Sequence, residues 1–177
     1  MYKVGQLIVY GSTGVCRVEA VEVPQNIPSA DKNRLYYRLK PLYDAGVIYT
    51  PVDTTVFMRP VVSRERAEQL IRSIPSIRPA PCDSHSPQML GDHYKTFFRS
   101  HSCEDLMQLI KTVYCKSRLS PTGRAISKTD QHYLRRAEEL LYNEFSVALE
   151  MPADQVKPYI EHCLGGFGAV DAALPVQ

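Results

Sequence analysis

The sequence lacks any long hydrophobic run: no stretch reaches the roughly 18 consecutive apolar residues that a membrane-spanning helix needs. It also lacks the charged-then-apolar leader of a secreted protein, because the chain opens with Met1, Tyr2 and Lys3. The formal net charge is only +2, so no excess of one sign surrounds the whole molecule. We therefore expect a cytoplasmic protein without membrane contact, in which any basic surface arises from local segregation of charge.

Motifs of catalytic and metal-binding sites are also missing. The sequence contains no P-loop, G-x-G-x-x-G, G-x-S-x-G or H-E-x-x-H motif. Histidine and cysteine come close together in three places: Cys82 with His85, His101 with Cys103, and His162 with Cys163. Because these spacings form no paired C-x2-C or H-x3-H set, we predict no enzyme, no metal and no cofactor. A metal or Cys/His enzyme is the alternative, and one tightly bound zinc per chain would favour it.

Cysteine is too sparse and too irregular for a disulfide framework. The five cysteines are odd in number and widely spaced in a chain of 177 residues, which predicts reduced thiols. Cys16, Cys115 and Cys163 fall among apolar positions, so we expect them to act as small core hydrophobes.

What the sequence does contain begins with short strands. Between residues 4 and 62, brief apolar runs are separated by turn signals such as Gly11 to Gly14. In one run Cys16, Val18 and Ala20 alternate with charged residues, which predicts a strand with one apolar and one charged face. Four to five such strands must curl to cover their edges, which favours a small antiparallel β-barrel of the Tudor-like or SH3-like type over residues 1–62.

At Ser63 the apolar period changes from two to about 3.6, which predicts a helix capped by Ser63 and stopped by Pro75. Residues 63–87 are interpreted as this helix plus an extended, proline-rich linker. Residues 88–177 form the predicted all-α bundle, which ends in a frayed tail. The bundle helices are expected over residues 88–99, 103–118, 129–150 and 151–164. The predicted fold class is therefore α+β.

Charge is segregated within the helical half. Between positions 111 and 136 the sequence contains seven basic residues and a single acidic one, Asp130. After position 136 it contains seven acidic residues and a single basic one, Lys157. A basic helix-loop-helix end suits phosphate binding, although ordinary solvated faces would give the same pattern. The candidate DNA-binding residues are Lys111, Lys116, Arg118, Arg124, Lys128, Arg135 and Arg136.

Segments along nearly the whole chain resemble the CarD/CdnL family of bacterial transcription regulators. In this chain, the segments VGQLIVY at 4–10 and GVCRVEAVE at 14–22 resemble the N-terminal part of the family's sequences. They are followed, as in the family, by YYRL at 36–39 and IYTPV at 48–52. The helical half of the Firmicutes-type members resembles LIKTVY at 109–114, AEELLYNEF at 137–145 and PYI at 158–160. The order of these segments is more specific than any single one.

The resemblance implies a monomeric transcription regulator with two binding surfaces. Its Tudor-like N-terminal domain would bind the β subunit of RNA polymerase by extending its sheet onto a partner strand. Its helical domain would contact promoter DNA near the upstream edge of the melted region. Because neighbouring strand residues face opposite sides, only one of Ile48 and Tyr49 can lie in the core, and we expect Tyr49 outside. By family position the polymerase-binding residues are Arg17, Arg38, Val47, Ile48, Tyr49 and Thr50.

One departure from the family affects the expected mechanism. Many relatives insert a tryptophan as an apolar wedge at the edge of the transcription bubble, whereas this chain has no tryptophan. The corresponding place is Pro81, Cys82 and Asp83, none of which replaces base stacking well. We therefore expect that this chain does not stabilise open promoters as those relatives do.

Two non-enzymatic alternatives remain beside this interpretation. A generic nucleic-acid-binding module would bind through residues 111–136 without contacting polymerase, and its binding would persist without residues 1–62. A transcription-repair coupling factor carries the same kind of barrel, but the absence of helicase motifs argues against it.

Overall fold

The computed structural model describes residues 1–25, 27–28, 31–82, 84, 86–118 and 126–165. The chain divides into two compact units, Met1–Val61 and Val62–Gln177. The first unit contains the strands and the second contains the helices. The predicted α+β class, with strands first and helices after them, is confirmed.

The first unit is a five-stranded antiparallel sheet with the strand order β4-β3-β2-β1-β5. Because β5 pairs with β1 and not with β4, strands β4 and β5 are the two edges of the sheet. The turn between β1 and β2 needs Gly11 and Gly14, whose φ angles of 44° and 91° are strained for other residues. The strands are β1 Leu7–Tyr10, β2 Gly14–Glu22, β3 Tyr36–Pro41, β4 Ile48–Pro51 and β5 Met58–Pro60.

A β-bulge interrupts the regular alternation of β2. Val18 lies opposite Leu39, but the next pair in register is Ala20 with Arg38, so one residue of β2 is extra. The insertion moves every later side chain to the other face of the strand. Val21 therefore packs against the core, and the prediction that Ala20 would continue the apolar face is wrong. The buried core of this unit is Ile8, Cys16, Val18, Tyr37 and Leu39.

Within its described residues, the second unit contains five α-helices and one short 3-10 turn. Ser63 caps the first helix as predicted, since its hydroxyl accepts the Arg66 N–H at 3.2 Å. Ser127 and Asp130 cap the fourth helix reciprocally. The elements are α1 Arg64–Ser73, the 3-10 turn Ile74–Ser76, α2 Pro87–Thr96, α3 Cys103–Arg118, α4 Lys128–Leu149 and α5 Ala153–Cys163.

The core of the helical unit follows the predicted apolar stripes. Helix α4 contributes Ala137, Leu141 and Phe145, all buried. Each large apolar side chain that is fully buried contributes about 1.5–3 kcal/mol to folding. The partners of these residues come from every other helix, with Ala67, Leu70 and Ile71 of α1, Tyr94 of α2, Leu106, Leu109 and Val113 of α3, and Val156 of α5.

The proline-rich segment before α2 differs from the expected linker. Ile77, Ala80 and Cys82 pack against the helical core. The Ala80 N–H donates to the Thr112 hydroxyl at 2.9 Å, and the Ala80 carbonyl lies 2.9 Å from Nε2 of His93. These contacts make the segment part of the helical unit.

All five cysteines are free thiols, but their environments differ from the prediction. Cys16 is buried, as expected, and Cys115 is half-buried. Cys163 is exposed because it ends α5, a peripheral helix in which only Val156 is fully buried. Cys103 is instead the second fully buried cysteine, with its sulfur 3.3 Å from a carboxylate oxygen of Glu144.

Candidate functional site

The edge strand β4 directs main-chain hydrogen-bonding groups away from the sheet. The Val52 N–H donates to the Leu35 carbonyl at 3.0 Å, in the first residue pair beyond β4. Bonded and non-bonded pairs alternate along an antiparallel ladder. Thr50 therefore directs its main chain toward β3, and Tyr49 directs its N–H and C=O outward. Pro51 also faces outward, but it has no N–H to donate.

The opposite edge, β5, is obstructed. The Gly11 N–H donates to the Phe57 carbonyl at 2.8 Å, so the same alternation turns the main chain of Met58 away from β1. The Met58 carbonyl is occupied, because it accepts the Tyr2 hydroxyl at 2.9 Å. Pro60 follows and has no N–H. Among the described strands, β4 is therefore the edge that is open to another strand.

Tyr2 connects the two sides of the sheet. Its N–H donates to the Tyr37 hydroxyl in β3 at 2.9 Å, while its own hydroxyl reaches Met58 in β5. Its ring packs against the inner core beside Tyr37, with the ring centroids 6.0 Å apart. The N-terminal segment thus bridges from β3 to β5 over the inner face of the sheet, a contact that no local sequence pattern indicates.

Side chains of β4 alternate between the core and the outer face. Ile48 lies opposite buried Leu39 and packs against the core, and Thr50 is 3% exposed. Tyr49 is half-buried on the other face. Val47, just before the strand, is 49% exposed. An apolar residue is therefore exposed next to the outward-facing main chain of Tyr49.

The two predicted arginines lie on the outer face but in different surroundings. Arg38 lies directly opposite Tyr49 and forms ion pairs with Glu19 at 3.3 Å and Glu22 at 3.9 Å. Arg17, one strand further from the edge, is exposed and lies opposite Lys40. The structure therefore groups Arg38 with the β4 edge, whereas Arg17 adds positive charge further along the same sheet.

Residues 2–62 match a family model described as the CarD-like/TRCF RID domain. The β unit is a CarD-like domain. Domains of this family are non-enzymatic and interact with RNA polymerase, which supports transcription-related polymerase binding by residues 2–62. No curated protein matches the chain.

Outside the CarD-like domain, one candidate DNA-binding residue is buried. Lys111 is 5% exposed, and its ammonium donates to the carbonyls of Ile74 at 2.9 Å and Pro75 at 2.8 Å. Burial lowers the pKa of this ammonium. The expectation that Lys111 lies on a phosphate-contacting surface is therefore wrong, because the 3-10 turn after α1 covers its position on α3.

Lys116, whose side chain is 46% exposed, pairs with a buried carboxylate. Its ammonium lies 2.9 Å from both carboxylate oxygens of Asp130, which is 0% exposed. Asp130 also accepts the Tyr94 hydroxyl at 2.7 Å and the Ser127 N–H at 2.9 Å. Burial raises the pKa of Asp130, but the hydrogen bonds from Tyr94, Lys116 and Ser127 outweigh it and leave that pKa below its usual range.

The other basic candidates are more accessible. Arg118, Lys128 and Arg135 are exposed. Arg136 is half-buried and pairs with Glu139 at 2.8 Å, one turn along α4. Arg124 lies outside the described residues.

The position of the relatives' wedge carries no apolar wedge in this chain. Pro81 is exposed, and Cys82 turns against the helical core. Asp83 lies outside the described residues. Among the described residues, the wedge position thus holds no side chain that could replace base stacking.

The His/Cys pairs form no metal centre within the described part of the chain. Among the described residues no group of three or more His, Cys, Asp or Glu side chains is placed to hold a metal ion. His85 lies outside those residues. None of the helices within the described ranges is long and apolar enough to cross a membrane.

Proposed function

We propose that the CarD-like domain binds the β subunit of RNA polymerase by pairing its β4 edge with a strand of that subunit. The observation that carries this proposal is the asymmetry of the two edges. Tyr49 directs both main-chain groups outward on β4, whereas the outward carbonyl of Met58 on β5 is occupied by Tyr2. Sheet extension needs an edge with free donors and acceptors, and β4 supplies them.

The geometry limits the length of the paired segment. Outward-facing groups recur at every second residue, which gives Val47 and Tyr49 as donors and acceptors. Pro51 adds none, because it has no N–H and its carbonyl already accepts the Thr54 N–H at 3.0 Å. A partner strand of about three residues would use all of these groups. Each main-chain bond contributes only about 0.5–1.5 kcal/mol net, so exposed Val47 and the charges around Arg38 must supply part of the affinity and the register.

The helical unit is proposed to contact promoter DNA without sequence specificity. The support is the group of exposed cations on α3 and α4, namely Arg118, Lys128 and Arg135, with Arg136 beside them. Arg124 lies between these helices in the sequence and belongs to the same proposed set. Lys111 is left out because it is buried, and Lys116 contributes less because Asp130 neutralises it.

A matched pair of proline variants of the full chain tests the edge proposal. Tyr49→Pro removes an N–H that faces away from β3, and Met58→Pro removes the equivalent N–H on the other edge. Proline is tolerated at such edge positions. Met58→Pro also removes the packing of the Met58 side chain against the inner core, so it should be the less stable of the two variants. We expect Tyr49→Pro to weaken binding to the isolated β subunit by about tenfold or more and Met58→Pro to leave it unchanged.

The fold of each variant is checked by circular dichroism and thermal unfolding before binding is measured. Tyr49→Ala, which keeps the main-chain N–H, separates the contribution of the ring from that of the backbone. Equal binding by wild type, Tyr49→Pro and Met58→Pro would show that the β subunit does not use this edge.

A further inference from the structure

A surface groove of about 330 Å³ lies between α2, along its length, and the first turns of α4. It belongs entirely to the helical unit, and the polymerase-binding proposal does not use it. Its lining includes Gly91 and Lys95 from α2 and Lys128, Thr129, His132 and Tyr133 from α4. Two lysines, one histidine and two hydroxyls therefore line one open concavity.

The charge of the groove is positive. Lys95 pairs with Asp92 at 2.9 Å on its own helix. Lys128 has no ion-pair partner in the part of the chain that the structure describes. Asp130, the acidic residue in the first turn of α4, does not offset Lys128 in the groove, because its carboxylate is fully buried against Lys116 and Tyr94. Both helices also begin at the groove, and their dipoles add positive potential there.

Glycine at position 91 keeps the floor of the groove open. Gly91 lies in the interior of α2, where glycine is less favourable than alanine by about 0.5–1 kcal/mol. A Cβ atom at this position would lie 3.4 Å from the Tyr133 hydroxyl oxygen. That hydroxyl has no hydrogen-bond partner among the residues described, so it is available to a ligand. The glycine thus leaves space next to an unpaired donor.

We propose that this groove binds a phosphate group of a phosphate ester. A phosphate presents several strong acceptor oxygens, and lysine ammonium groups, a histidine N–H and hydroxyls are donors that complement them. Because the groove opens along the surface, a phosphate that continues into a sugar on both sides can lie in it. The phosphate belongs either to the backbone of DNA or to a free nucleotide. The DNA case rests on the proposed promoter contact and would add a specific phosphate site to it.

Three variants of the full chain separate this site from general surface charge. Lys128→Gln combined with His132→Gln removes two donors of the groove. Gly91→Ala leaves the charge unchanged and adds a methyl group to the floor. Arg78→Gln is the matched control, since Arg78 is an exposed cation of the helical unit outside the groove. The probes are ATP without magnesium and a 20-base-pair duplex, measured by calorimetry and fluorescence anisotropy.

We expect the double variant to bind at least one of the two probes about fivefold or more weakly. Gly91→Ala should weaken the same probe about two- to threefold, an effect that a purely electrostatic surface would not produce. Arg78→Gln should leave that binding unchanged. An effect confined to the duplex identifies DNA as the source, and an effect on ATP identifies a nucleotide.

Two results would overturn the inference, and they differ in whether the proposed DNA contact survives. If the duplex binds and neither the double variant nor Gly91→Ala weakens it, the groove is not the phosphate site, but the proposed DNA contact remains. If neither ATP nor the duplex binds the wild-type chain, both the groove and the DNA contact are rejected. Binding of ATP alone, with the expected variant effects, supports the groove and rejects the DNA contact.

Discussion

The Tyr2 hydroxyl donates a hydrogen bond to the Met58 carbonyl at 2.9 Å, on the outward side of β5. This contact occupies the carbonyl that a partner strand would need at that edge, while Tyr49 on β4 keeps its outward groups. The first residues of the CarD-like domain therefore help to select which edge is open. A contact between residues 56 positions apart in sequence thus bears on which edge of the sheet is open.

Replacing Tyr2 by phenylalanine tests the structural part of this contact. Tyr2→Phe keeps the ring in the core and removes the hydroxyl, so the free energy of unfolding should fall by about 0.5–1.5 kcal/mol. Urea unfolding measures this change. Binding to the polymerase β subunit should persist, because β4 is untouched. Loss of binding without loss of stability would mean that Tyr2 itself contacts the polymerase.

Asp130 should make the helical unit sensitive to acid. Its pKa is lowered in the folded state, so its stabilising contribution is fully present above the unfolded pKa of about 3.9 and is lost as the pH falls through the folded value. Asp130→Asn should cost about 1–3 kcal/mol at pH 7, since it weakens the buried hydrogen bonds that Tyr94, Lys116 and Ser127 donate to this carboxylate.

Urea unfolding at pH 7 and pH 3 measures this effect. The wild type should lose more stability between the two pH values than Asp130→Asn does. An equal loss in both proteins would assign the acid sensitivity to other carboxylates.

The five cysteines should react with iodoacetamide in an order set by burial. Cys163 is exposed and should be alkylated first, whereas Cys103 is buried beside Glu144 and should react only after unfolding. Burial raises the pKa of Cys16 to about 11, so this thiol should also stay unreactive at pH 8. Peptide mass spectrometry after timed alkylation gives the order. Early labelling of Cys16 would contradict the structure of the β sheet.

Lys111 and Arg135 should behave differently although both belong to the same basic segment. Lys111→Met removes two hydrogen bonds to the carbonyls of Ile74 and Pro75 and should lower stability by about 1–3 kcal/mol. It should not change the salt dependence of duplex binding. Arg135→Gln should leave stability within about 0.5 kcal/mol and reduce the slope of log affinity against log salt by about 0.9.

Titrations at two or more salt concentrations measure both slopes. A reduced slope for Lys111→Met, with its fold intact, would show that the buried ammonium is available to phosphate after all.

The periodicity of the sequence predicted most elements but not their contacts. The change of period at Ser63 and the apolar stripe of α4 are local properties, so the helices and the cap were predictable. The bulge after Val18 was not, because an extra residue in one strand depends on its partner strand. The sequence also could not show that Lys111 is covered by the turn at Ile74, since that contact joins segments 37 residues apart.

The candidate site was predictable only in outline. Family position indicated residues 47–50 as part of the polymerase-binding surface. These residues lie at an edge only because β5 pairs with β1 and not with β4, and this strand order does not follow from the order of the strands in the sequence. Gly91, Lys95 and His132 were not singled out, because each is unremarkable in its own helix. They form a groove only because α2 lies beside the first turns of α4.

Hydrogen exchange at the Tyr49 amide tests the central claim most directly. In the free chain this N–H faces away from β3 and should exchange quickly, whereas the Thr50 N–H, directed at β3, should exchange slowly. When the polymerase β subunit is added, the Tyr49 amide should become protected and the Met58 amide should not change. A bound complex in which Tyr49 still exchanges quickly would contradict the account.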